Sequence, residues 1–147
     1  MIGTRTFDAM RSGALALGFA ALLGACASAE RDAGPACAAG LERWTMTELY
    51  FGLTWSQGVI SEAQWQEFVA GEIVPRLPEG FTIVPGEGAW RSTRTGQTIR
   101  QPSRVLLRLR KAEPAQEEAI AGVIAAYKTR FQQQSVLRVD AAVCAAF

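Results

Sequence analysis

The chain contains no histidine. Its absence removes Ser–His and Cys–His nucleophilic catalysis, imidazole acid–base work and the commonest transition-metal ligand. Aspartate is nearly as scarce: beyond Asp8 there are only Asp32 and Asp140. The glutamates Glu48, Glu62, Glu67, Glu72, Glu79 and Glu87 are spread out, with no acidic cluster or calcium-loop spacing. No metal and no cofactor is therefore expected. A formal net charge of +1 with no basic run argues against nucleic acid as a partner. Gly86 and Gly88 lack the Lys-Ser/Thr and helix context of a phosphate loop. Catalysis, if present, would have to use Tyr, Arg, Glu or Ser alone.

Long apolar runs are also few. The longest is a stretch of about 11 residues from position 13 to 23, too short for a bilayer core that needs roughly 20 in a helix. It follows Arg5 and Arg11 and ends in Leu23-Gly24-Ala25-Cys26, the pattern of an export signal with a lipid-attachment cysteine. Residues 1–25 then read as a lipoprotein signal peptide, with Cys26 carrying an acyl anchor in the lipid bilayer. The rival is plain cleavage after Ala29 in Ala27-Ser28-Ala29, which would discard Cys26 and release a soluble periplasmic or secreted protein. Ala27 behind the cysteine, in place of an aspartate, makes the periplasmic side of the outer membrane the expected location.

Residues 26–44, rich in Ala and Gly, read as a flexible tether and 45–147 as a single globular domain. Two further cysteines, Cys37 and Cys144, bracket that domain. In an oxidising compartment they are expected to pair, closing a loop of about 100 residues and contributing at most ~4.7 kcal/mol of chain entropy. A redox role lacks the C-x-x-C spacing.

Hydrophobic periodicity gives the elements. Leu49, Phe51 and Leu53 alternate with Glu48, Tyr50 and Gly52 as a half-buried strand. Ser61 and Gln64 form a capping box before a helix through Trp65, Phe68, Val69 and Ile73, ended by Pro75. Strands follow around 81–84 and 99–110, with a bulge or bend expected at 86–88 and a turn at Thr95-Gly96. Pro114 opens a second helix whose apolar positions are Ile120, Val123, Ile124, Tyr127 and Phe131. A last strand covers 135–140. The order βαββαβ predicts an α+β, ferredoxin-like sandwich: a four-stranded antiparallel sheet with two helices on one face. Alternation assigns Val105, Leu107, Leu109 and Val139 to the helix side, and Glu48, Tyr50, Arg104, Arg108, Arg138 and Asp140 to the open side.

Glu48-Leu49-Tyr50-Phe51-Gly52, Trp65, the turn at 73–80, Trp90, Ser103 with Val105-Leu106, and residues 127–139 together resemble a bacterial family of small exported proteins and lipoproteins of unknown function, domain-of-unknown-function family 3574. The resemblance runs from about Trp44 to Phe147. It implies no activity that can be carried to a residue. That family often has an acidic residue where this chain has Gln101, so acid chemistry assigned there does not transfer.

Two functions from different classes follow. The first is a lipid-tethered, non-catalytic binding or structural module of the cell envelope, with a homodimer through the open sheet face as one outcome. The second is a small metal-free enzyme or carrier that uses Tyr50, Arg104, Arg108 and Arg138, with Trp90 beside them, to bind a small anionic ligand. Against the second stands ordinary cross-strand pairing of Glu48 with Arg104 or Arg138. Among the tryptophans, Trp65 is expected in the core, Trp90 over a hairpin edge and Trp55 exposed.

Overall fold

The computed structural model describes residues 36–92 and 95–147. The signal segment, Cys26 and the Ala29 site fall outside them. Among the described residues six strands and three α-helices follow in the order β1 (Glu42–Gly52), β2 (Thr54–Trp55), β3 (Gly58–Val59), α1 (Glu62–Phe68), α2 (Val74–Arg76), β4 (Thr82–Arg91), β5 (Thr98–Arg110), α3 (Pro114–Arg130) and β6 (Leu137–Ala145). The main sheet has the order β4-β5-β1-β6 and every pair in it is antiparallel. With α1 and α3 on one face, this is the expected ferredoxin-like sandwich; β2 and β3 form a small separate hairpin.

The capping box at α1 is present in full. The Gln64 amide N–H donates to the Ser61 hydroxyl at 3.3 Å, and the Ser61 N–H donates to the Gln64 side chain at 2.9 Å. Pro75, however, does not end the helix. A π-helical turn (Val69–Ile73) leads into α2, which contains Pro75, and helical structure continues to Arg76. Proline has no N–H to give and crowds the preceding turn. Widening that turn, so that the Val74 N–H reaches the Val69 carbonyl, lets the helix pass. Arg76 donates to the Glu72 carbonyl at 2.9 Å and pairs with its carboxylate, as a helix C-terminus favours.

The core lies between sheet and helices. Leu49, Phe51 and Leu106 meet Trp65, Phe68 and Ile73 of the first helical segment and Ile120, Val123 and Tyr127 of α3. Aromatic rings carry much of it: Phe51 and Tyr127 centroids are 4.7 Å apart and Phe68 and Tyr127 5.2 Å, edge to face. Each such buried side chain contributes about 1.5–3 kcal/mol by leaving water.

Several expectations need correction. β1 begins at Glu42, so residues 42–44 belong to the sheet and not to a tether. Gly86 and Gly88 continue the β4–β5 register one to one, opposite Ser103 and Gln101, with no bulge. Trp55 packs on Phe131 at 5.7 Å, while Trp90 is the exposed indole at 49%. β6 extends to Ala145, beyond the expected end at Asp140.

The largest correction concerns β5 and β6. Leu106, Arg108 and Arg110 are buried on the helix side, opposite Leu49, Thr47 and Thr45. Val105, Leu107 and Leu109 therefore face away from the helices. On β6, Arg138 and Asp140 stand opposite Leu49 and Thr47 on the helix side, and Leu137 and Val139 point to the open face, 59% and 41% exposed. Alternation identified the two faces of these strands but assigned them in reverse. The assumption that apolar side chains turn inward failed because acceptors on α1, α3 and β6 await the arginines.

Candidate functional site

The sheet divides the expected ligand-binding residues. Tyr50 lies on the open face, where its hydroxyl donates to Glu48 two residues away. That hydrogen bond raises the Tyr50 pKa, and burial and the Glu48 charge add to the effect, so the phenol stays protonated at neutral pH. Arg104, Arg108 and Arg138 are all on the helix side. Tyr50 and these arginines are not brought together, and Glu48 pairs with none of them.

Each arginine has a local partner. Arg104 meets Glu62 in the first turn of α1 at 2.7 Å. Arg108, 2% exposed, donates to Glu79 at 2.9 Å, to Gln116 at 2.5 Å and to the Gly80 carbonyl at 3.1 Å. Arg110 donates to the Thr47 hydroxyl at 2.7 Å and pairs with Glu117 at 2.6 Å. Arg138 bridges Glu117 at 2.8 Å and Asp140 at 2.6 Å. The buried guanidiniums of Arg108 and Arg110 and the half-buried one of Arg138 are thus matched by Glu79, Glu117 and Asp140.

The carboxylates register the same network. Arg138 holds Glu117 below the usual carboxylate range; burial opposes this, and Arg110 adds to the lowering. Burial alone would raise Asp140, but the Thr47 hydroxyl with Arg138 and Arg110 outweighs it and leaves the pKa lowered. These groups join β1, β5, β6 and α3 into one polar layer at the margin of the core. Within it Arg108 Nε, Arg110 Nη1 and Arg138 Nε have no partner among the described residues.

The open face is the opposite case. Val84, Leu107, Leu109, Leu137 and Val139 lie there with Met46, and no described helix covers them. Buried arginine on one side and exposed valine and leucine on the other is the informative combination, since single exposed apolar residues are ordinary and a contiguous patch is not. The β4–β5 hairpin runs on past Gly52, the end of β1, and by strand parity puts Trp90 and its partner Ile99 on this side. Gln101 closes the join: its amide lies over Gly52, where a Cβ would come within 2.5 Å of Nε2.

Cys37 and Cys144 form the expected disulfide, with Cα atoms 5.6 Å apart. Trp44 sits beside it in β1, its ring against Phe147 at 5.1 Å and under the Lys111 ammonium at 3.9 Å. No described helix is long and apolar enough to cross a membrane.

Residues 46–147 match the family described as protein of unknown function (DUF3574). The chain belongs to that family. Among solved structures, it resembles a phage SAM lyase in complex with S-methyl-5'-thioadenosine, at 14% identity and a TM-score of 0.52, over 69% of this chain and 90% of that one. A nitrogen regulatory PII-like protein from Thiomonas intermedia K12, bound to ADP, AMP and bicarbonate, aligns at 12% identity and a TM-score of 0.43, over 73% and 97% of the two chains. At such identities the lyase likeness speaks for the fold alone. No curated protein matches the sequence.

Proposed function

We propose that this DUF3574 protein is a lipid-anchored, non-catalytic binding module of the cell envelope, held through Cys26 to the periplasmic side of the outer membrane, and that it binds through the open face of its sheet. The observation that carries the binding surface is the uncovered apolar face itself, with Val84 at 41%, Leu137 at 59% and Val139 at 41% exposure. A sheet that hides its arginines and displays its leucines and valines is built for contact with another apolar surface. The Cys37–Cys144 disulfide favours an oxidising compartment. The Leu23-Gly24-Ala25-Cys26 pattern favours the acyl anchor. The alternative of a metal-free enzyme or anion carrier has lost its motivating cluster, because Tyr50 and the arginines occupy opposite faces.

Metabolic labelling with a palmitate analogue tests the anchor. The wild-type chain takes up label and sediments with membranes, whereas Cys26→Ala loses the label. An intact mass that begins at residue 30 without lipid would overturn the anchor.

A further inference from the structure

The open face has features that narrow its occupant. Near its middle the ionisable groups are Glu48 and Tyr50, already bonded to each other. Lysine and arginine are absent from that middle; Lys111 stands at the β1 entry end, engaged with Glu42 and Trp44. An anionic bilayer surface calls for clustered cations, which this face does not offer. An anionic ligand is disfavoured for the same reason.

Size and symmetry point the same way. Four strands spaced about 4.8 Å apart, over about eight paired residues of 3.4 Å, give about 500 Å² of flat sheet before side-chain relief is added. A stable interface takes about 800 Å² of accessible surface from each partner, so the contact has to use the whole face, its side-chain relief and the Trp90–Ile99 extension, as a second sheet of the same dimensions would. A two-fold contact sets the same patch against itself, which penalises a face rich in one charge and suits one made of valine, leucine and methionine. Sheets of this kind pack face to face about 10 Å apart with interdigitating side chains.

Resting on the reading of the open face as the binding surface, we propose that its occupant is a second copy of this chain, forming a two-fold dimer in which the two β4-β5-β1-β6 sheets pack face to face. Leu107 and Val139 lie inside the contact, and the Glu48–Tyr50 pair is its ionisable element. The hydroxyl of Tyr50 enters with its hydrogen bond made, while the Glu48 carboxylate is carried out of water at a cost. Removing that charge without changing shape therefore strengthens the dimer. Trp90 and Ile99 lengthen the same face along the β4–β5 hairpin.

The test places p-benzoylphenylalanine in the full chain at position 107 and, separately, at the exposed position 139, and irradiates intact cells, so that a chain without its anchor is still sampled. An adduct of twice the chain mass that contains peptides of this protein alone is expected from both positions. A probe at Ala125, exposed on α3 away from the sheet, should give none. Val84→Asp in the probe-bearing chains should cut the adduct at least tenfold, with expression and the Cys37–Cys144 disulfide retained. In sedimentation of the purified full chain, Glu48→Gln should tighten dimerisation several-fold. An adduct with a different polypeptide or with lipid, no adduct from either position, or a weaker Glu48→Gln dimer would each overturn the proposal. Palmitate label retained with no adduct faults the dimer alone; adduct retained without label faults the anchor alone.

Discussion

Arg108 shows how a charged side chain becomes part of a core margin. Its guanidinium has three acceptors around it, and at 2% exposure its stem is out of water as well. Arg108→Ala should cost about 2–3 kcal/mol in urea unfolding, combining lost stem packing with lost charged hydrogen bonds. Tyr50→Phe should change stability by less than about 1 kcal/mol, because its partner Glu48 remains half-exposed to solvent in the monomer. A reversed ranking would return Arg108 to the list of residues kept for binding. Tyr127 is a sharper case. Its ring is fully buried and its hydroxyl donates to the Gly52 carbonyl at 2.7 Å, so burial pushes the phenol's pKa far up. Tyr127→Phe should cost about 1–2 kcal/mol by orphaning that carbonyl, measurable by the same denaturation.

Among the elements, the contact between α3 and β6 carries the better-shielded part of the pH dependence; Glu42 beside Lys111 and Glu62 beside Gln66 and Arg104 are also lowered, but at exposed positions. The folded pKa values of Glu117 and Asp140 are both depressed, so each contributes stability that is fully present above its unfolded value near pH 4. That contribution is lost as pH falls through the lower folded value. The melting temperature should therefore hold steady from neutral pH to about pH 5 and fall below about pH 4. Asp140→Asn should lower the neutral plateau and flatten the acid limb in a circular dichroism series. The elements themselves were largely legible in the sequence: the Ser61–Gln64 capping box, Pro114 at a helix start and the period of three and four along α3 all act locally. The faces of β5 and β6 were not. Residues 104–110 alternate cleanly, but whether Val105 or Arg108 turns inward depends on Glu79, Gln116 and Glu117, which lie elsewhere in the chain. Alternation specifies two faces, and only tertiary partners say which one is covered. The proposed ligand cluster failed for the same reason, since it took Arg104, Arg108 and Arg138 to share a side with Tyr50.

For the whole molecule, the disulfide is the longest-range constraint. It joins residues separated by 107 positions and should contribute about 2–4 kcal/mol, less than the full loop-entropy value. Cys37→Ser with Cys144→Ser should lower the urea midpoint without altering the far-ultraviolet spectrum. An unchanged midpoint would mean the reduced chain keeps its ends together by other contacts.

The position of that crosslink also governs how the fold bears load. Cys144 sits directly opposite Arg43 in the β1–β6 register, close to where β1 begins at Glu42. A pull applied to the chain ahead of Cys37 reaches the domain at the sulfur bridge, before it reaches the first hydrogen bonds of the sheet. From there the force divides between the head of β1 and the tail of β6. Peeling β1 away alone is blocked, because its neighbour is drawn along the same line, and the two strands must be moved together against β5. Were the chain held to a surface by its leading end, as proposed, it would in this way be braced against unzipping from the point of attachment.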